Sequence, residues 1–160
     1  DLQTHLISTA LDWFGPAQLA AAHIRSIRGN SEDDVVLTLK HESGVDSYLS
    51  ASAIAGNPGP RIRLLGTEAA LVIEDLDPQE ALLRAGEFPE GGTWKVPTTS
   101  RAFIYKGDAK EEITGVPGNY GAFYLAVKAA LTDGAAWPIS QEEVLAVARI
   151  IDRAREINAR

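Results

Sequence analysis

The sequence predicts an α+β domain, an open, mostly antiparallel β-sheet with helices packed on one face. Two observations predict it. Apolar residues follow a helical period at the start of the chain, a period of two from residue 19 to 74, and a helical period again toward the end. The connections between successive strand patterns are short, and a parallel crossover needs about a dozen residues or more, so neighbouring strands run antiparallel.

The elements follow in order. Leu2, Leu6, Ile7, Ala10, Leu11, Trp13 and Phe14 fall on one wide helical face, and Gly15-Pro16 ends that helix; no capping signal precedes it. Strand patterns then cover Leu19 to Arg28, Asp34 to His41, Val45 to Ala55, Arg61 to Gly66 and Ala69 to Glu74, punctuated by Asn30, Ser43-Gly44 and Asn57-Pro58-Gly59-Pro60. In the third, Val45, Leu49, Ala51, Ala53 and Ala55 point one way and Asp46, Tyr48, Ser50 and Ser52 the other, so the sheet has one apolar and one mixed face. Asp77 caps a short helix from Pro78 to Ala85. A Gly/Pro-rich loop with Trp94 fills Gly86 to Thr99, and Arg101 to Lys106 and Lys110 to Thr114 form two further strands. Tyr120, Phe123, Tyr124, Val127, Ala130 and Leu131 mark a helix expected to bury that face, closed by Gly134. Ser140 with Glu143 makes a capping box and Ile139 with Val144 a hydrophobic staple, opening a last helix that runs through Ile157.

Composition narrows the function. The chain has 160 residues, the size of one domain, with 45% apolar and 23% charged residues and a net charge of -7. That charge, without any basic run, argues against a nucleic acid or an anionic membrane as partner. There is no cysteine, so disulfides and thiolate metal sites are excluded and the redox compartment stays open. No apolar stretch reaches a membrane span and no leader precedes the first helix, so the expected location is cytoplasmic. Starting on Asp1, entering a helix at once and lacking methionine, the sequence reads as a piece of a longer polypeptide.

No G-x-G-x-x-G or phosphate-binding loop occurs, so the chain alone is not expected to hold a dinucleotide, and no metal set is local. The best chemical candidate is the polar stripe of the first helix. Asp1, His5, Ser8 and Asp12 lie within about 60° of one another on the helical wheel, opposite the apolar face. A carboxylate one turn from an imidazole can orient it for proton transfer. Any amphipathic helix shows such a stripe, so a solvated surface is the plainer account, and residue types alone do not choose between them. His23 and His41 read as sheet-face or strand-edge residues, and Tyr120 and Tyr124 as core or interface aromatics. Neither Glu111-Glu112 nor Glu142-Glu143 suggests an acid/base pair.

The run Asp1-Leu2-Gln3-Thr4-His5-Leu6-Ile7-Ser8, followed by Leu11-Asp12-Trp13-Phe14-Gly15-Pro16, resembles the helix that opens the C-terminal domain of the Gfo/Idh/MocA oxidoreductases, the glucose–fructose oxidoreductase and inositol dehydrogenase group. Arg61 through Leu71, Asp77-Pro78-Gln79-Glu80, Tyr120 through Leu131, Pro138-Ile139 and Glu142-Glu143 continue the resemblance along the whole chain. The resemblance implies a substrate-side domain of an oxidoreductase moving hydride between NAD or NADP and a sugar, inositol or similar polyol. The cofactor would sit mainly on an N-terminal Rossmann domain absent from this sequence, leaving the isolated chain inactive. It implies His5 as proton acceptor and Asp1 as its partner, with Ser8 and Tyr120 as substrate-binding residues and a homo-oligomer formed through the sheet face. Two departures stand out: Gln3 where glycine is common, and Ser8 where an aspartate often follows the histidine. The rival expectation is a non-catalytic oligomerisation or interaction module that uses the open face of the sheet.

Overall fold

A computed structural model describes residues 2–57, 59–75, 77–89, 94 and 100–158. The elements in chain order are α1 (Thr4–Phe14), β1 (Ala17–Arg25), β2 (Asp34–His41), β3 (Asp46–Ser52), β4 (Ile62–Leu65), β5 (Ala70–Ile73), α2 (Pro78–Arg84), β6 (Arg101–Lys106), β7 (Ala109–Thr114), α3 (Tyr120–Asp133) and α4 (Gln141–Asn158). The α+β class and the antiparallel strands are as the sequence predicts. The chain divides into two compact units, Asp1–Gly56 with Ile139–Arg160, and Asn57–Pro138.

In the first unit β1, β2 and β3 form a three-stranded antiparallel sheet in that order. β2 is its centre, and strict alternation sends Val35, Leu37, Leu39 and His41 to the inner face. Register places Leu37 between Ala22 and Leu49, and Thr38 on the outer face between Ala21 and Tyr48. On the inner face lie α1, through Ile7 and Ala10, and α4, through Ile150 and Ala154. These are spacings of three and four, so each helix turns one stripe to a common core. β1 is an edge strand, and the Asn158 carboxamide bridges its backbone, accepting from Ile24 N at 2.9 Å and donating to Ile24 O at 2.8 Å. The capping box forms as expected: Ser140 N donates to Glu143 Oε2 at 2.7 Å and Glu143 N to Ser140 Oγ at 3.2 Å. Those bonds hold the Glu143 carboxyl below its usual range. Ile139 and Val144, the expected staple pair, are both exposed.

In the second unit β4, β5, β6 and β7 form a four-stranded antiparallel sheet. Ala102 and Phe103 are its buried apolar residues, and the Lys110 ammonium lies 3.8 Å from the centre of the Phe103 ring. Asp77 caps α2 as expected, its carboxylate accepting from Gln79 N at 2.9 Å. Asn119 caps α3 by accepting from Ala122 N at 3.1 Å, and Gly134 closes it in the left-handed conformation that glycine adopts without strain.

Two expectations need correction. The strands do not run as one continuous sheet: among the described residues β3 and β4 form no ladder, and Pro60, between them, has no N–H to give. α3 forms where predicted, yet none of its residues is buried. Tyr120, Phe123, Tyr124 and Leu131 are exposed, so Tyr120 and Tyr124 are not core aromatics; a helical period shows which side of a helix is apolar, not whether anything covers it. His41 lies on a sheet face as expected, the inner one, where it is buried with both ring nitrogens engaged. Its Nδ1 stands 2.8 Å from Gly15 O and its Nε2 2.9 Å from Ser47 Oγ. A carbonyl only accepts, so Nδ1–H donates to Gly15, and in the neutral ring Nε2 accepts from the Ser47 hydroxyl. Most of the predicted Gly86–Thr99 loop lies outside the described residues.

His41→Leu leaves the Gly15 carbonyl and the Ser47 hydroxyl without their partner in a buried setting. The expected cost is about 2 kcal/mol, a fall of about 4–8 °C in Tm on thermal unfolding. An unchanged Tm contradicts this structural role.

Candidate functional site

α1 is mounted from both ends. Its first turn has no side-chain cap; instead the fully buried Gln3 reaches across the fold, its Nε2 donating to Glu32 Oε2 at 3.0 Å. Arg155 on α4 grips the same carboxylate, donating from Nε to Oε1 at 2.7 Å and from Nη2 to Oε2 at 3.2 Å. The Arg155 hydrogen bond is the main reason that the Glu32 carboxyl is held below its usual range, partly opposed by desolvation. At the far end Ser43 Oγ donates to Phe14 O at 2.8 Å, beside the bond from His41 to Gly15. With Ile7 and Ala10 fixed in the core, the opposite stripe of α1 must face outward, and His5, Ser8 and Asp12 are exposed there. Inside the stripe, Thr9 Oγ1 donates to His5 O at 2.8 Å, tying the histidine's own backbone.

His5 and Ser8 therefore share one surface of the first unit, about one turn apart. Asp1, the expected carboxylate partner, lies outside the described residues. Tyr120 belongs to the second unit, at the first position of α3. Its side chain is 42% exposed, and its hydroxyl is pushed above the usual tyrosine range by desolvation, then by the Asp77 and Glu80 carboxylates, with Arg61 opposing. His23 points outward on β1, opposite Val36. Two residues that sequence reasoning placed only as a departure from a motif and as part of one, Gln3 and Gln79, are fully buried and bonded through their carboxamides. Asp77 is two residues from Gln79, but Trp94 and Tyr120 stand 15 and 41 residues from it and Glu32 stands 29 from Gln3, so local spacing does not reveal these contacts.

Two shallow concavities occur in the second unit, one of about 350 Å³ lined by Ser100, Arg101, Glu112, Ile113, Thr114 and Gly115, another of about 320 Å³ lined by Gly59, Pro60, Val72 and Glu74. Neither is walled by His5, Ser8 or Tyr120, and with no glycine-rich phosphate turn in the sequence these residues do not fit a nicotinamide dinucleotide. Among the described residues no three His, Asp or Glu side chains converge as a metal set, and no helix is long and apolar enough to cross a membrane.

Residues 1–158 match the family described as "Oxidoreductase family, C-terminal alpha/beta domain" of the Gfo/Idh/MocA type. The chain belongs to this family. Among its relatives is the scyllo-inositol 2-dehydrogenase (NADP(+)) IolW of Bacillus subtilis (strain 168), 31% identical over 163 residues, covering 98% of this chain and 45% of the relative. The solved structure of the oxidoreductase yvaA from Bacillus subtilis matches with a TM-score of 0.80 and 30% identity over 98% of this chain and 48% of that one. An oxidoreductase from Klebsiella pneumoniae matches with a TM-score of 0.84 at 22% identity, over 98% of this chain and 45% of that one; that likeness bears on the fold alone. The chain thus spans about half the length of the curated relatives it matches.

Because the folded-state pKa of Glu32 is depressed, the stability it lends is complete above the ordinary glutamate range and is lost as pH falls through the folded value. Glu32→Gln is expected to be less stable than the parent by about 1 kcal/mol at pH 7, since the pair is partly exposed. The gap should close on acidification, followed by denaturant titration across pH; a gap that persists unchanged in acid contradicts the ionic role.

Proposed function

We propose that this chain is the substrate-side domain of a larger NAD(P)-dependent oxidoreductase whose substrate is a polyol of the inositol or sugar class. The observation that carries the reading is the exposed His5–Ser8 surface on a helix whose other face is locked in the core, at the positions where the opening motif of the family carries its histidine and a polar partner. The naming of IolW as a scyllo-inositol dehydrogenase using NADP(+) supports the substrate and cofactor classes.

Oxidising an alcohol releases a hydride and a proton. A bound nicotinamide would supply the hydride acceptor, and the lack of a glycine-rich phosphate turn in this sequence supports placing its binding mainly on a part of the protein beyond this chain. The residues here act on the other half of the balance. His5 takes the hydroxyl proton, Asp1 orients the imidazole, and Ser8 holds a substrate hydroxyl; Tyr120, on the second unit, is proposed as a substrate-binding residue on the family resemblance alone. Serine in place of an acidic neighbour leaves this surface with one charge fewer, which favours a hydroxyl contact made by a neutral group. The isolated chain is expected to be inactive.

In the full-length protein His5→Ala should lower kcat by about 10²–10⁴-fold, measured as nicotinamide reduction with a panel of inositols and sugars. Turnover untouched by the substitution removes His5 from the chemistry, and no nicotinamide-dependent turnover on any polyol removes the whole reading.

A second role is compatible with the first and rests on its own observation. The outer face of the three-stranded sheet carries Tyr48, 76% exposed, beside the exposed Val36. We infer that this face joins copies of the protein, since a broad aromatic standing in water gains most from being covered. Tyr48→Glu should shift the species seen in sedimentation to a smaller one; a parent protein already monomeric at high concentration contradicts the assembly role.

A further inference from the structure

Gln79 is 0% exposed, and at its carboxamide three segments of the second unit meet, those of Asp77–Gln79, Trp94 and Gly118–Tyr120. Its Nε2 donates to Asp77 Oδ2 at 2.9 Å. A carboxylate can only accept, so this bond fixes which end of the amide is nitrogen. The oxygen then faces the other way and accepts two bonds, from Trp94 Nε1 at 2.8 Å and from Tyr120 N at 2.9 Å. Asp77 itself is held by its second oxygen, which accepts from Gln79 N at 2.9 Å. The space around this amide is closed on another side by Gly118, where an added methyl group would overlap Asp77 Oδ2 and Gln79 Nε2.

The bond to Tyr120 N matters most. Tyr120 opens α3, and the first four N–H groups of a helix have no partner within it. Asn119 caps one of them locally, at Ala122, while Gln79 caps another from a distant part of the chain. Because α3 buries none of its side chains, packing does little to fix where its first turn stands, and this tertiary cap does it instead. One oxygen thus sets both the Trp94 indole and the Tyr120 backbone.

We propose that Gln79 is a positioning residue, whose buried carboxamide places Trp94 and the first turn of α3 so that the Tyr120 side chain is presented to substrate. This rests on the reading above that Tyr120 contacts the polyol. Gln79 touches neither substrate nor cofactor in this role.

The test uses the full-length protein, a panel of inositols and sugars, and three variants: Gln79→Met, which keeps volume and removes both polar ends, Gly118→Ala, which displaces the amide from outside, and Tyr120→Phe. Gln79→Met and Gly118→Ala should each lower kcat/KM for the polyol by about 10–100-fold, leave the KM for the nicotinamide cofactor unchanged, and speed amide hydrogen exchange at Tyr120 but not within α4. Tyr120→Phe should lower polyol kcat/KM with Tyr120 exchange unchanged. Turnover lowered by Tyr120→Phe but kept by the other two overturns the positioning role alone; turnover kept in all three overturns the substrate role of Tyr120 and the inference with it. Should neither amide variant fold, the parent protein still decides: a slowly exchanging Tyr120 amide is expected, and free exchange there overturns the clamp.

Discussion

Everything in the first unit depends on the inner face of β2. Val35, Leu37 and Leu39 are fully buried there, and both α1 and α4 lie on them. Burying a side chain of this kind contributes about 1.5–3 kcal/mol, whereas a typical hydrogen bond contributes about 1 kcal/mol net. Packing therefore decides which side of α1 faces in. The polar ties decide something finer. Gln3 through Glu32 to Arg155 at one end, and His41 with Ser43 at the other, stop the helix from sliding or turning once it is seated. The outward direction of His5 and Ser8 follows from these two layers of constraint without any contact of their own to a ligand.

The second unit is built differently. Among its described residues the buried apolar ones are few, Ala102 and Phe103, and the most buried polar side chain is that of Gln79. Where a core is thin, a fully satisfied polar network can set geometry that packing leaves loose, because each of its groups would be costly to strand. α3 shows the consequence. It is a good helix by its caps, with Asn119 at one end and Gly134 at the other, yet it keeps its aromatic side chains in the open.

Much of this was legible in the sequence, and the limits follow from range. β2 has the predicted ends because Asp34 to His41 alternates without interruption, and the start of α4 is right because Ser140 and Glu143 satisfy each other within one turn. The partition into two sheets was not legible, since strand pairing is a relation between segments and the pattern of each strand looks the same either way. The exposure of α3 was missed for a similar reason: Tyr120, Phe123 and Tyr124 spell an apolar face without naming a partner. Buried glutamines were missed because a carboxamide reads as surface until its distant donors and acceptors are in view. At the candidate site, the grouping of His5 and Ser8 came from helical spacing alone, while the mounting of their helix came from contacts 26 to 123 residues apart. The roles given to these side chains came from resemblance, with Asp1 outside the described residues.

The most direct measurement is a crystal structure of the full-length protein with a nicotinamide cofactor and an inositol bound. The account predicts a His5 ring nitrogen within about 2.6–3.2 Å of the hydroxyl on the carbon facing the nicotinamide, directly or through one water. An inositol seated against the cofactor with His5 in bulk solvent and another side chain at that hydroxyl contradicts it.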